Sequence, residues 1–260
     1  MPRPPQVTLT LERGLQMLRA FHADRVPLTN GELASRTGLS RSAVSRLTST
    51  LVHEGFIRRI AGGPRFELAT GVFGIGQAYL ATNPVTRRAE PLMQKLADQL
   101  DVAVALAVPD GLDMLYIAHR CSVRISALQL GVGSLLPMDA TAVGWAWLWG
   151  LPDVERSRLV ARLLDAAGSR SKEVGTAIET AFDDLYSSGV CMAVGQYRRN
   201  AYGIALPVTI GRPKLAMALS CGAIDVKPDI AAIRGRVVPE LKRAATELQS
   251  LLADVELRPE

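Results

Sequence analysis

"LTNGELASRTGLSRSAVSRLTSTLVHEGFIRR", residues 28–59, contains two helix starts and two helix stops. Thr29 followed three residues later by Glu32 is a capping box: hydroxyl and carboxylate each satisfy a backbone N–H left free at a helix start. Leu33 and Ala34 follow, and Gly38 closes this helix, since glycine adopts the left-handed conformation of a helix end without steric cost. Ser40 then caps a second helix whose apolar stripe is Val44, Leu47 and Leu51, and "HEGF" ends it with Gly55. That stripe leaves Arg41, Ser42, Ser45, Arg46 and Ser49 on the outward side. A solvated helix face ordinarily carries Glu and Lys, which are good helix formers. Short hydroxyls alternating with guanidinium groups suit a face that something other than water touches.

The flanking sequence supplies the rest of the module. Leu11, Leu15, Leu18 and Phe21 recur at helical spacing and predict a first helix over about 8–24. Two β-prone runs, Phe56 to Ile60 and Arg65 to Leu68, flank Gly62, Gly63 and Pro64 and predict a hairpin. Helix, helix–turn–helix, hairpin is the order of a winged helix–turn–helix. In such a motif the second helix enters the major groove. Arg41 and Arg46 suit guanine edges, and Ser42, Ser45 and Ser49 suit bases or phosphates. Arg58, Arg59 and Arg65 on the hairpin are placed to touch the backbone or minor groove, as a wing does. Thr29 and Ser40, capping the two helices, complete the expected DNA-contacting set, because free N–H groups at a helix start favour phosphate.

Charge is distributed to match. Residues 1–70 hold ten arginines, no lysine and five acids, so the net charge of +5 of the 260-residue chain resides there and the remainder is neutral. A small arginine-only module on a neutral body points to a polyanion partner.

Beyond residue 70, periodicity predicts a linker helix over 71–83 and a second body over 84–260. "VAVALAV", "DMLYIAHR" and "RISALQL" read as strands, and "DATAVGWAWLWG" as a helix start with Asp139 or Thr141 as its cap. Helices are expected at about 153–166 and 173–187, followed by strands "GVCMAVGQY", "AYGIALPVTI" and "KLAMALSCG". A closing helix over about 228–254 is expected to kink or restart at Pro239. The body therefore reads as α+β around an antiparallel sheet. Trp145 and Trp149 share a helix face, which suits a core, a subunit interface or the rim of a ligand site.

The chain resembles the IclR family of bacterial transcription regulators. The likeness rests on "LERGLQMLRAF" (11–21), the stretch 28–59, the wing "GGPRFEL" (62–68), "LLPMDATAVGWAWL" (135–148) and "GIALPV" (203–208). It implies a winged helix–turn–helix over 1–70 and a GAF-like α/β effector-binding and oligomerisation domain over 84–260. It also implies a homodimer or homotetramer on a double-stranded DNA operator, controlling a catabolic operon for an organic or aromatic acid. The family's pattern of polar residues before the "GIALPV" strand and on the last strand is thinned here to Gln196 and Ser220. The effector site this implies is lined by Met138, Ala142, Cys191, Ala193, Gln196, Pro207, Ser220 and Cys221. Such a lining is mostly apolar and favours an aromatic or otherwise apolar acid over a small dicarboxylate.

Other classes find less support. The three histidines are scattered without metal-ligand spacing, and the three cysteines form no C-x-x-C pair, so no metal, cofactor or catalytic residue is expected. No apolar run is long enough to span a bilayer and "MPRPPQ" lacks a signal peptide's apolar core, which leads us to expect a cytoplasmic protein with no membrane partner. The competing reading is a small-molecule sensor or protein-interaction module whose winged helix no longer reads DNA.

Overall fold

The computed structural model describes residues 7–21, 26–124, 130–225 and 227–256. It divides into two compact units, Met1–Thr82 and Asn83–Glu260.

The first unit runs α1 (Leu9–Arg19), β1 (Leu28–Thr29), α2 (Asn30–Thr37), α3 (Arg41–His53), β2 (Ile57–Arg59), β3 (Arg65–Leu68) and α4 (Thr70–Thr82). Both helix starts of the opening stretch form as their chemistry dictates. Thr29 and Glu32 make the full capping box, Ser40 accepts from the Ala43 amide, and Gly38 closes α2 at φ 68°. The core gathers Met17, Phe21, Leu28, Leu33, Val44 and Ile57, with Leu47, Leu51 and Phe66 half-buried against it. α1 is shorter than expected, ending at Arg19, and residues 22–25 lie outside the described set. Its buried position is Met17, with Phe21 buried just beyond its end, whereas Leu11 and Leu15 are exposed. α3 buries Thr48 beside Val44; its hydroxyl donates to the Val44 and Ser45 carbonyls, both at 3.0 Å, so no polar group is stranded.

The wing is a three-stranded antiparallel sheet in the order β1-β3-β2. β1, two residues long and absent from the sequence reading, pairs Leu28 with Phe66 and Thr29 with Arg65. α4 begins hard against the end of α3. The Gly71 amide donates to the Gly55 carbonyl at 3.1 Å, and a Cβ at position 71 would stand 2.6 Å from that oxygen.

The second unit runs α5 (Pro84–Leu100), β4 (Ala103–Asp110), β5 (Asp113–Cys121), β6 (Leu135–Pro137), α6 (Ala142–Trp149), α7 (Asp153–Ala167), α8 (Ser171–Ser188), β7 (Cys191–Val194), β8 (Ala201–Ile210), β9 (Leu215–Ile224) and α9 (Ile230–Leu251). Six strands form one sheet in the order β6-β5-β4-β9-β8-β7, every pairing antiparallel. Period-two alternation sorts their side chains between two cores. Val104, Leu106, Ile204, Leu206, Leu219 and Cys221 pack against α5 and α9, while Ala105, Ala107, Ala205 and Ala218 face α6 and the helices behind it. This is the α+β, GAF-like build expected.

Several details differ from the sequence reading. α9 continues through Pro239 as one helix, its face Ile233, Val237, Leu241 and Leu248 buried on the sheet; that packing outweighs the local defect. β6, three residues long, was not expected as a strand. "RISALQL" falls largely in 125–129, outside the described residues. Thr141, not Asp139, caps α6 by accepting from the Gly144 amide. Trp145 and Trp147 are core residues whose indoles donate to the Asp139 and Ala216 carbonyls at 3.1 and 3.0 Å, and Trp149 tilts against Phe182.

Candidate nucleic-acid interface and ligand cavity

On α3, Arg41, Ser42, Ser45, Arg46 and Ser49 are all exposed, as the apolar stripe requires. Ser49 donates to the Ser45 carbonyl at 2.9 Å, and Ser40 and Ser42 share a hydrogen bond at 3.1 Å. Arg41 and Arg46 make no ion pair among the described residues, so two guanidinium groups stand on one helix face without a counter-charge.

The three arginines of the wing are each bonded within the protein. Arg58 pairs across the wing with Glu67 at 2.7 Å, its register partner. Arg59 donates through Nε to the Gly63 carbonyl at 3.0 Å and so braces the wing turn. Arg65 donates through Nη1 to the Pro27 carbonyl at 2.7 Å and to Glu32 Oε2 at 3.3 Å. The same Glu32 oxygen accepts from the Thr29 amide and the Thr29 hydroxyl at 2.7 and 2.8 Å. Those two Thr29 bonds, and secondarily Arg65, hold the Glu32 carboxyl below the usual carboxylate range. The Thr29 hydroxyl is thus spent on its cap. A shallow concavity between the start of α2, α3 and the wing brings Thr29, Ser45, Ser49 and Arg59 to one surface.

In the second unit a cavity of about 80 Å³ opens on the sheet face under α6. It exists because the residues in register there are small. Ala103, Gly222, Gly203 and Ala193 align across β4, β9, β8 and β7, and the next row is Ala105, Ser220 and Ala205. Of the expected effector residues, Ala142, Ala193, Gln196, Ser220 and Cys221 line it. Alternation sends the Cys221 side chain to the opposite core, where burial pushes its thiol up to about 12.

Met138, Cys191 and Pro207 do not line it. Met138 is fully buried beneath α6, its backbone so close to Gly144 that a Cβ there would come within 2.3 Å of its carbonyl oxygen. The Cys191 thiol lies 3.3 Å from the Ala142 carbonyl, buried between α6 and the sheet, and that burial raises its pKa. Pro207 shares a strand face with Gly203 but stands four residues along, about 13 Å at strand rise, against Gly150 at the end of α6.

The cavity holds more polar groups than the sequence suggested. Tyr116, His119, Thr141, Tyr197 and Arg198 all line it. Tyr116 and His119 are three apart on β5 and would face opposite ways on a regular strand. The register instead pairs Tyr116 with Ala107 and His119 with Ala105, leaving Ile117 unopposed. This bulge turns both rings to the cavity. Burial pushes the Tyr116 hydroxyl up to about 12, against a smaller opposing influence from Ser220. Burial, and then the neighbouring Arg120, lower the His119 pKa. The bulge has no signature in one sequence. "GQYRRN" (195–200) could have drawn attention as a turn with two arginines beside a strand.

Among the described residues, no three His, Cys, Asp or Glu side chains gather to hold a metal ion, and no helix is long and apolar enough to cross a membrane.

A winged helix–turn–helix with an unpaired arginine face, carried on a chain whose other unit is a cavity-bearing α/β body, defines a transcriptional regulator. The model of the IclR helix-turn-helix domain matches residues 10–61 and that of the bacterial transcriptional regulator IclR C-terminal domain matches 77–250; the chain belongs to the IclR family. It is 27% identical over 246 residues to the Pca regulon regulatory protein of Pseudomonas putida, covering 94% of this chain and 84% of that one. It is 25% identical over 249 residues to the p-hydroxybenzoate hydroxylase transcriptional activator of Acinetobacter baylyi, covering 93% and 91%. Among solved structures, an IclR family transcriptional regulator from Brucella abortus superposes with TM-score 0.88 at 28% identity, covering 97% of this chain and 95% of that one.

Proposed function

We propose that the chain binds operator DNA through α3 and the wing, and that a small organic or aromatic acid in the second unit's cavity sets how well it does so. The observation that carries the DNA half is the exposed face of Arg41, Ser42, Ser45, Arg46 and Ser49, whose two arginines have no ion-pair partner among the described residues. Free guanidinium groups on short-chained surroundings can reach base edges without first breaking an ion pair. Two copies would straddle a two-fold-related site, as a homodimer or within a homotetramer, in the cytoplasm.

For the ligand half, the cavity walls are mostly apolar with a few polar groups, the usual form of a small-molecule site. The named role of the Acinetobacter baylyi relative, activator for p-hydroxybenzoate hydroxylase, supports an aromatic acid and a catabolic operon. The reading assigns no catalysis. Burial raises all three thiols, which opposes a thiolate nucleophile.

A mobility-shift titration of the DNA upstream of the chain's own gene tests this. Binding that weakens steeply with added salt is expected, because phosphate contacts release counterions. Binding that salt does not change, or none, favours a sensor whose winged helix no longer reads DNA.

A further inference from the structure

The cavity on the sheet is about 80 Å³, well short of the roughly 300 Å³ or more of an ordinary small-molecule site, so an occupant of that kind needs a wall to move. Most of the described walls are braced. The floor is the continuous ladder of β4, β9 and β8. The start of α6 is pinned by the Thr141 hydroxyl, which donates to the Pro137 carbonyl at 2.8 Å, and by the Trp145 indole on the Asp139 carbonyl. Leu130 leads into a turn whose backbone, at Gly133 and Ser134, is hydrogen-bonded to that of Tyr116.

The turn between β7 and β8, residues 195–200, is built differently. Four consecutive residues of it, Gly195 to Arg198, line the cavity. Its ties to the sheet lie at its foot: the Gly195 amide donates to the Ala201 carbonyl at 3.0 Å, and the Asp225 amide to the Asn200 carbonyl at 2.8 Å. Gly195, at φ 77°, lets the chain leave β7 sharply without steric cost. The side chains of Gln196, Arg199 and Asn200 make no hydrogen bond or ion pair with the other described residues.

Tyr197 is the aromatic residue of this turn. It is 41% exposed yet lines the cavity. After burial and Ser220 it is the third influence on the Tyr116 hydroxyl, so the two phenols lie near one another. One side chain thus stands between the cavity's interior and solvent. The Arg198 guanidinium lies 5.6 Å over the same ring, a cation–π contact made within the turn itself.

We infer that the turn 195–200 is a gate on the cavity, the Tyr197 ring its leaf and Arg198 the residue that stiffens the leaf. A loop bonded only at its foot opens locally at far lower cost than the sheet beneath it. What the gate admits rests on the cavity being the effector site; that it opens does not.

Cysteine labelling of the full chain tests the gate without a ligand. Ser220→Cys, made together with Cys121→Ser, puts one thiol on the cavity floor and removes the partly exposed native one. Reaction with methyl methanethiosulfonate is followed at each thiol by peptide fragmentation in a mass spectrometer. Buried Cys191 and Cys221 report opening of the whole unit. The position-220 thiol is expected to react ahead of both. Tyr197→Ala should speed it about tenfold or more, Arg198→Gln about threefold and Tyr197→Phe by less than about twofold, because only the first removes the leaf. Cys191 and Cys221 should keep their parent rates throughout. A position-220 rate that Tyr197→Ala leaves unchanged, or that rises only in step with Cys191 and Cys221, overturns the inference, as does Tyr197→Phe matching Tyr197→Ala. The effector reading is decided separately, with benzoate as the probe. If benzoate shifts operator affinity and slows labelling at position 220, both readings are supported. If it shifts operator affinity without slowing any label, the effector site lies elsewhere and the gate stands.

Discussion

Tyr116 and His119, three residues apart on one strand, present nearly parallel rings to the same cavity because Ile117 is bulged out of the ladder between them. The bulge converts an odd spacing into a shared face, and a proton equilibrium reports it. Burial favours the neutral His119 imidazole, so the native chain releases its proton more readily than the unfolded chain does. On acidification the unfolded chain takes up that proton first, below about pH 6.5. Stability therefore falls as pH drops from there through the lowered native value, and then levels off. Urea unfolding at about pH 7.5 and about pH 5.5 checks the sign: His119→Gln should lose less stability across that interval than the parent.

The arginines of the head should divide by partner. Arg41→Ala and Arg46→Ala are each expected to cost about 1–3 kcal/mol of operator affinity. Both side chains are exposed and unpaired among the described residues, so unfolding free energies should move by no more than about 0.5 kcal/mol. Arg65→Ala removes bonds to Glu32 and Pro27, so it should lower stability, by up to about 1 kcal/mol given its exposure, whether or not DNA is present. Paired mobility-shift and urea measurements separate these outcomes.

Two glycines give each unit its own probe. Gly71→Ala would set a Cβ 2.6 Å from the Gly55 carbonyl oxygen, and Gly144→Ala would set one 2.3 Å from that of Met138. Both neighbours are backbone, so each substitution should cost about 1–3 kcal/mol, as overpacking does. Differential scanning calorimetry should show Gly71→Ala lowering a transition that Gly144→Ala leaves in place, and the converse.

Thiol labelling under native conditions should be ordered by burial. Cys121 is partly exposed, whereas Cys191 and Cys221 are buried. An aromatic disulfide reagent should consume one thiol first and reach the other two only as the second unit unfolds. Cys121→Ser should remove that first phase alone.

What the sequence disclosed was chiefly local chemistry. The capping box at Thr29 and Glu32, the Ser40 cap and Gly38 are short-range signals, and each forms as written. The outward face of α3 followed from the stripe Val44, Leu47 and Leu51, of which Val44 is fully buried and the two leucines half-buried against the same core. What escaped depends on partners distant in the chain. β1 and β6 are too short to carry a periodic signal and exist only through pairing with β3 and β5. Pro207 was expected in the effector site from the family resemblance, but how far α6 extends over β8 depends on packing, and Pro207 stands against Gly150 at the end of that helix. The bulge at Ile117 is invisible to spacing rules, and so is the placement of Arg198 in the cavity lining. Pro239 shows the opposite limit: a strong local signal overridden by a buried helix face.

A single oxygen, Glu32 Oε2, accepts from the Thr29 amide, the Thr29 hydroxyl and Arg65. One atom thereby joins the start of α2 to the strand at the centre of the wing sheet. Peeling the wing away takes a donor from the oxygen that caps the helix, and fraying the helix takes an acceptor from the wing. Order in the wing and order at the start of α2 therefore favour one another, so a partner that grips the wing steadies α2 as well.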